Sequence, residues 1–305
     1  MVSARAFSPG HVTGFFSIHS HVDPLHHGST GAGFSLSEGT VTTLQPSADD
    51  AVFMNGAVLE GAPVSRSVLK LFRDRTGQTG SWKVLHETNL PIGCGFGTSG
   101  AGALSLALAL NEAAGSPLER LEAASLAHRA ELEAGTGLGT VLGETYGGFE
   151  VRSEPGAPGT GRVVNLPFSD TLKAAFLVFG PLATPAMLGD ESVSRAISRE
   201  GESLRQCLLD DPAVSRFLDL SLSFGRKAGL VNPRLLALQD HLMQEGIAAP
   251  MLMFGDGLFT LVESPTFEAV LEQFKRLAPT ARVFGSSLDR QGGRILVRER
   301  TQTHH

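Results

Sequence analysis

Glycine recurs at alternate positions in Pro91-Ile92-Gly93-Cys94-Gly95-Phe96-Gly97-Thr98-Ser99-Gly100-Ala101, and an apolar run of Ala and Leu follows, continuing to Ala114. Ala and Leu are strong helix formers, and Gly115-Ser116-Pro117 stops the run. A glycine-rich loop feeding a helix N-terminus is an anion site. Its unpaired N–H groups point outward, and glycine lets the backbone approach a phosphate closely. Thr98 and Ser99 add hydroxyls that can bind a phosphate oxygen or Mg²⁺. The chain is therefore expected to hold a nucleotide.

Three further groups could do chemistry. His19, His21, His26 and His27 crowd around Asp23, and imidazole with carboxylate suits Zn²⁺. No helical i, i+4 pair is present and Pro24 interrupts the run, so a polar loop with a histidine turned towards a ligand is favoured over a metal site. Glu131 and Glu133, in Ala127-His128-Arg129-Ala130-Glu131-Leu132-Glu133, stand on a helical stretch. A carboxylate there either faces the glycine loop and holds Mg²⁺ or lies on a solvated face. Arg152 interrupts an apolar strand. It either pairs bidentately with a substrate carboxylate or lies on the outer face, because an unpaired buried charge is costly.

The elements that must position these residues alternate between strand and helix. Ala4–Phe7, Thr13–Ile18, Gly39–Leu44 and Ser81–His86 read as strands, and Ser65–Arg73 has helical spacing. Two helices follow, about Ser99–Ala114 and Pro117–Glu133, then a turn at Gly135-Thr136-Gly137-Leu138-Gly139 and a strand over Tyr146–Ser153. Gly28-Ser29-Thr30-Gly31-Ala32-Gly33 reads as a second glycine-rich turn, and Glu154–Arg162 as a hairpin tip or linker. Leu172–Phe179 opens the second half as an apolar strand. Glu191–Gly229 reads as helical with a break near Asp211-Pro212, and Pro233–Gln244 and Thr266–Leu277 as further helices. Met251–Phe254, Leu258–Glu263, Arg282–Gly285 and Arg294–Arg298 read as strands. The order is mixed α and β in two layers.

The 305 residues suffice for two domains or one large one, and 42% hydrophobic with 18% charged residues describes a globular chain. The net charge of -6 comes with no basic block, which argues against nucleic acid as a partner. Two cysteines are too few for a disulfide framework and fit a cytoplasmic location. The first residues lack the apolar stretch of a secretory signal, and no run approaches the length of a membrane helix. The terminal His304-His305 are given no function.

The type of nucleotide loop can be narrowed. No Lys follows the glycines, so the P-loop is excluded. Gly95-x-Gly97-x-x-Gly100 is formally a dinucleotide fingerprint. It should open a βαβ unit, whereas the stretch after the first helix is helical again. A dinucleotide-binding oxidoreductase is therefore disfavoured. The pattern Pro-x-Gly-x-Gly-x-Gly-x-Ser-x-Ala is matched by Pro91, Gly93, Gly95, Gly97, Ser99 and Ala101, and it resembles the second motif of the GHMP kinases. Further pieces resemble the archaeal-type pantoate kinases within that superfamily. They are Pro9-Gly10-His11-x-Thr13-Gly14-Phe15-Phe16, Asp23-Pro24, Gly28-Ser29-x-Gly31-Ala32-Gly33, Ala127-His128-x-Ala130-Glu131, Gly135-Thr136-Gly137-Leu138-Gly139, and Gly147-Gly148 followed by Arg152. These cover nearly all of the first half. The second half matches loosely, through Met251–Phe259.

The resemblance implies an α+β, two-domain GHMP kinase fold. Residues 1–167 would form an S5-like N-terminal domain with the phosphate loop, and residues 168–305 a ferredoxin-like C-terminal domain, with ATP in the groove between them. It implies that the backbone from Gly93 to Ala101, including Phe96, Gly97, Thr98 and Gly100, cradles the ATP phosphates. Ser99 and Glu131 would hold Mg²⁺, and His21, Ser29, Gly31 and Arg152 would form the acceptor side. The expected reaction is phosphorylation of pantoate, a small-molecule substrate, to 4-phosphopantoate in coenzyme A biosynthesis, and the resemblance is compatible with a homodimer. One catalytic position departs: the family's Gly-Leu-Gly-Asp ends here in Thr140. Thr is no base near neutral pH, so a neighbouring base such as Glu133 or Glu144, a weakened kinase or an altered chain stay open. So do a kinase for homoserine or a mevalonate derivative, and a non-catalytic nucleotide-binding relative.

Overall fold

The computed structural model describes residues 3–182 and 191–299; His304-His305 and the chain end lie outside them. The α+β architecture expected from the sequence is the one the chain adopts, built on two long strands. β1 (Ser3–His19) and β2 (Gly28–Ser47) pair antiparallel from Ala4 opposite Leu44 to His19 opposite Gly28. The register shifts between Pro9 and His11 and again between Thr13 and Phe15. Such irregularities bend a strand and re-aim its side chains; here they flank His11 and Thr13.

β2 serves two partners. Its first half pairs with β6 (Phe149–Glu154), with Gly31 opposite Arg152, and its second half with β5 (Ser81–Thr88). β3 (Ala51–Met54) runs parallel to β5 and forms a hairpin with β4 (Ala57–Val58), and β7 (Arg162–Leu166) pairs with β6. β8 (Leu172–Pro181), β9 (Gly255–Glu263) and β10 (Arg282–Ser287) form a separate antiparallel sheet in the order β10-β8-β9. The closing strand β11 (Arg294–Glu299) returns to the large sheet and pairs with Ser3–Phe7 of β1.

α1 (Pro63–Thr76), α2 (Thr98–Ala113) and α3 (Arg120–Ala134) enclose one core with Leu44, Val52 and Val84 of the large sheet. Every residue of α2 except Ser99 and Glu112 is buried. Burial of its four leucines, Leu104, Leu106, Leu108 and Leu110, contributes about 2 kcal/mol each and fixes the helix that carries the glycine loop. A second core joins β8 and β9 to α6 (Val214–Lys227), α7 (Pro233–Gln244) and α8 (Ser264–Leu277). α5 (Glu191–Asp210) and the short α4 (Thr140–Tyr146) complete the described helices. Phe15, Phe34 and Phe149 meet Phe217 of α6 at ring separations of 6.3, 6.1 and 5.1 Å. A Cβ on Gly14 would collide with Phe217 at 2.5 Å, so glycine there lets α6 seat against β1.

Two local expectations differ. Residues 28–33 are not a turn but the start of β2. Their glycines serve close packing: a Cβ on Gly31 would lie 2.7 Å from Phe16 Cα, and one on Gly33 2.8 Å from His11 Nε2. Met251–Phe254 is not a strand; Met251 makes a single bridge to Leu258, and the chain turns at Phe254 with φ 62°.

Candidate functional site

The loop before α2 climbs through three glycines in the left-handed region, Gly93 (φ 73°), Gly95 (φ 86°) and Gly97 (φ 64°). Side chains are excluded there for space as well: a Cβ on Gly95 would lie 2.6 Å from Met253 O, and one on Gly97 2.6 Å from both Glu144 Oε1 and Thr140 Cγ2. Gly97 caps α2 without a side-chain hydrogen bond, and no acidic residue occupies the first turn. The first N–H groups and the positive end of the helix dipole are thus left for an external anion. Phe96 anchors the loop in the core, its ring 5.0 Å from Phe176 and 5.6 Å from Phe284. Its carbonyl accepts from His11 N at 2.9 Å. Ala101 is fully buried and makes the first helical bond to Gly97 O at 2.9 Å. Ala101 and Pro91 support the loop without lining the space above it.

That space is a cleft of about 490 Å³. The single exposed side chain at the start of α2, Ser99, enters it and donates to Glu131 Oε1 at 2.5 Å. Thr136 Oγ1 donates to the same oxygen at 2.8 Å. Burial raises the Glu131 carboxyl above its ordinary range, and the two hydroxyl bonds oppose that rise. A desolvated carboxylate beside a hydroxyl is an all-oxygen donor set of the kind Mg²⁺ takes, with phosphate and water completing it.

On one side of the α2 N-terminus the cleft is polar. Ser29, Thr140, Thr13, His11 and Arg152 line it, and a Cβ on Gly139 would sit 3.3 Å from Arg152 Nε and against Ser29 Oγ. Arg152 is 1% exposed, and its charge is answered by Glu150 at 2.7 Å. Burial pulls the guanidinium down and Glu150 opposes it. His11 Nε2 lies 2.8 Å from the same Glu150 oxygen, and Arg152 Nε has no partner among the described residues. On the other side the walls are apolar: Met54, Leu59, Ala62, Val64 and Ile92, with Ser65 and His86 between them. Leu182, Met253 and Phe254 close the cleft from the second half.

The structure thus gathers Gly93, Gly95, Phe96, Gly97, Thr98, Ser99, Gly100, Glu131, Thr140, Ser29 and Arg152 around one cleft. It does not bring His21 there. His21 is exposed, takes a bond from Asp23 N at 3.0 Å, and lines an adjoining cavity of about 550 Å³ that shares only Gly137 and Leu138 with the first. Gly31 does not line the cleft either; it stands opposite Arg152 in the β2–β6 register and packs against Phe16. Glu133 also faces away, accepting from Ser67 Oγ at 2.5 Å, and Glu144 is sealed beneath the glycine loop. The sequence reading missed Glu150 and Thr136 as partners of Arg152 and Glu131, and it missed the Ser65–His86 end. Glu150 had a readable signal, because it stands two positions before Arg152 on one face of a strand.

The GHMP kinases N terminal domain matches residues 64–148. The pantoate kinase of Thermococcus kodakarensis is 37% identical over 275 residues, which cover 87% of this chain and 89% of the relative. The chain belongs to the pantoate kinase family of the GHMP kinases. The pantoate kinase of Methanocaldococcus jannaschii is 30% identical over 88% of this chain and 96% of its own. A solved structure described as a phosphotransferase related to the CoA biosynthesis pathway superposes with a TM-score of 0.85 at 33% identity, over 96% of this chain and 98% of that one. A mevalonate diphosphate decarboxylase from Enterococcus faecalis, at 16% identity and a TM-score of 0.74 over 97% and 99% of the two chains, shares the fold. No helix among the described residues is long and apolar enough to cross a membrane.

Proposed function

We propose that this chain transfers the γ-phosphoryl group of ATP to the primary hydroxyl of pantoate, giving 4-phosphopantoate and ADP. The observation that carries the reading is the placement of a buried cation, Arg152, beside Ser29 and Thr140 on the polar side of the phosphate loop. The acceptor carries a carboxylate and a hydroxyl. Arg152 takes the carboxylate and Ser29 orients the acceptor, while the Gly93–Gly100 backbone and the α2 N-terminus take the phosphate charge. Phosphoryl transfer depends mainly on such positioning and charge stabilisation, so Thr140 in place of an acid slows the reaction without forbidding it.

Ser99 and Glu131 fit Mg²⁺. They are oxygen donors 2.5 Å apart at the loop, and a bound cation would answer the buried carboxylate. When bound, Mg²⁺ neutralises charge on the phosphates. The division at residue 167 follows function in this reading: phosphate-loop and acceptor residues lie before it, and Leu182, Met253 and Phe254 cover the cleft from after it. Both cysteines, Cys94 and Cys207, are free thiols, which supports a reducing cytoplasmic setting.

The test is ADP formation from Mg-ATP with pantoate, homoserine or mevalonate. Turnover that depends on pantoate is expected. Turnover with another acceptor alone would refute the assignment, and nucleotide binding without turnover would favour the non-catalytic reading that Thr140 raises.

A further inference from the structure

Four buried polar side chains run from inside α2 to the apolar end of the cleft, and their hydrogen bonds have a single direction. Ser105 Oγ lies 2.7 Å from Ala101 O, one turn back in the helix. A carbonyl can only accept, so the Ser105 proton is committed to it. Thr42 Oγ1 is 2.6 Å from Ser105 Oγ, and its own proton must fill that contact. The next contact, 2.7 Å from Thr42 Oγ1 to His86 Nδ1, therefore takes its proton from the imidazole. His86 is 1% exposed, its ring nitrogens face two hydroxyls, and burial pushes it down to about 4, so the ring is neutral near pH 7. A neutral imidazole carries one N–H. Nε2 is thus bare, and Ser65 Oγ, 3.1 Å away, must donate to it. Ser65 borders the cleft with no proton left to give.

The surroundings of Ser65 suit a flat ring. Met54, Leu59, Ala62, Val64 and Ile92 are apolar, and Met54 stands opposite His86 in the β3–β5 register. The phosphate loop lines the same cleft as Ser65. We infer that Ser65 selects the base of the nucleotide as an obligate hydrogen-bond acceptor. The cleft takes a purine with an amino group at its 6-position and rejects one with a carbonyl there. The inference rests on the nucleotide-dependent kinase reading above. A 6-carbonyl would face lone pairs with lone pairs and leave two desolvated acceptors unpaired. His86 is a positioning residue in this scheme: its tautomer sets the polarity of Ser65.

Equilibrium binding without acceptor is the test, using ATP, inosine triphosphate and the triphosphate of purine riboside, which has neither group at the 6-position. The unmodified protein is expected to bind ATP at least about tenfold more tightly than either analogue. Ser65→Ala is expected to remove the gap, chiefly by weakening ATP. Equal binding of ATP and inosine triphosphate to the unmodified protein would overturn the inference alone, as would a gap that survives Ser65→Ala. Failure of all three to bind would overturn the kinase reading and this inference with it. Nitrogen NMR of His86 in the unmodified protein gives an independent check: the Nδ1–H tautomer is required, and the Nε2–H tautomer would refute the scheme.

Discussion

Ser99 Oγ donates to Glu131 Oε1 at 2.5 Å, joining the first turn of α2 to the last turn of α3. The bond brings a metal-competent carboxylate to the phosphate loop although the two residues are far apart in sequence. Glu131→Gln and Ser99→Ala are each expected to lower kcat by about a hundredfold or more, a magnitude usual for loss of a group that stabilises transition-state charge. Glu131→Gln should also raise the Mg²⁺ concentration needed for half-maximal rate. Because the neutral amide removes a desolvated charge, Tm should not fall. Near-normal rates in both variants would refute the assignment of these residues.

Arg152 has two duties that can be separated. It neutralises Glu150 in the interior at 2.7 Å and, in the proposed reaction, holds the acceptor carboxylate. Arg152→Met is expected to destabilise the fold by about 3–5 kcal/mol, because Glu150 loses its buried cation and keeps only the His11 imidazole beside it. It should also raise KM for pantoate far more than KM for ATP. Arg152→Met combined with Glu150→Leu should recover most of the lost Tm while KM for pantoate stays high. Recovery of both together would show that Arg152 is structural only.

The glycine loop was legible because glycines at alternate positions directly before an unbroken Ala and Leu run read as an anion site from local sequence alone. The same logic failed at residues 28–33, where glycine-rich sequence reads as a turn. There the glycines answer close approach of β1 to β2, shown by Gly31 against Phe16 and Gly33 against His11. That cause is tertiary and leaves no local pattern. The spacing of the histidines gave no means of telling which one reaches the cleft. His21 is held away by its bond from Asp23 N, whereas His11 is turned inward where the β1 register shifts. Nor could local sequence show that β11 pairs with β1 rather than with β10.

Glu144 gives a pH dependence with a definite sign. It is fully buried, both carboxyl oxygens lack partners among the described residues, and it lies against Gly97 and Gly100. Burial first, then the charges of Glu131 and Glu150, raise it well above the ordinary value of 4.5. The folded chain therefore holds this proton more tightly than the unfolded chain. Its contribution is favourable at and below the ordinary value and is lost as pH rises towards the raised one. Glu144→Gln should match the unmodified protein in Tm near pH 4 and exceed it near pH 8. A Tm difference independent of pH would show that the folded chain holds the Glu144 proton no more tightly than the unfolded chain does.

Thr140 tests whether an acid is needed at the cleft. Its Cγ2 and the Glu144 carboxyl both lie 2.6 Å from where a Cβ on Gly97 would sit, so position 140 borders the phosphate loop, with a carboxyl sealed behind it. If transfer rests on positioning and charge, Thr140→Val should keep kcat within about twofold of the unmodified enzyme. Thr140→Asp, by offering a proton acceptor to the attacking hydroxyl, should raise kcat by about tenfold, a modest share of what general bases contribute. The rise should be confined to pH above the titration of the new acid, because only the carboxylate accepts a proton. ADP release measured across pH with saturating pantoate checks both variants. Loss of activity in Thr140→Val would mean that the threonine hydroxyl itself is required. An unchanged rate in Thr140→Asp would mean that proton removal does not limit turnover.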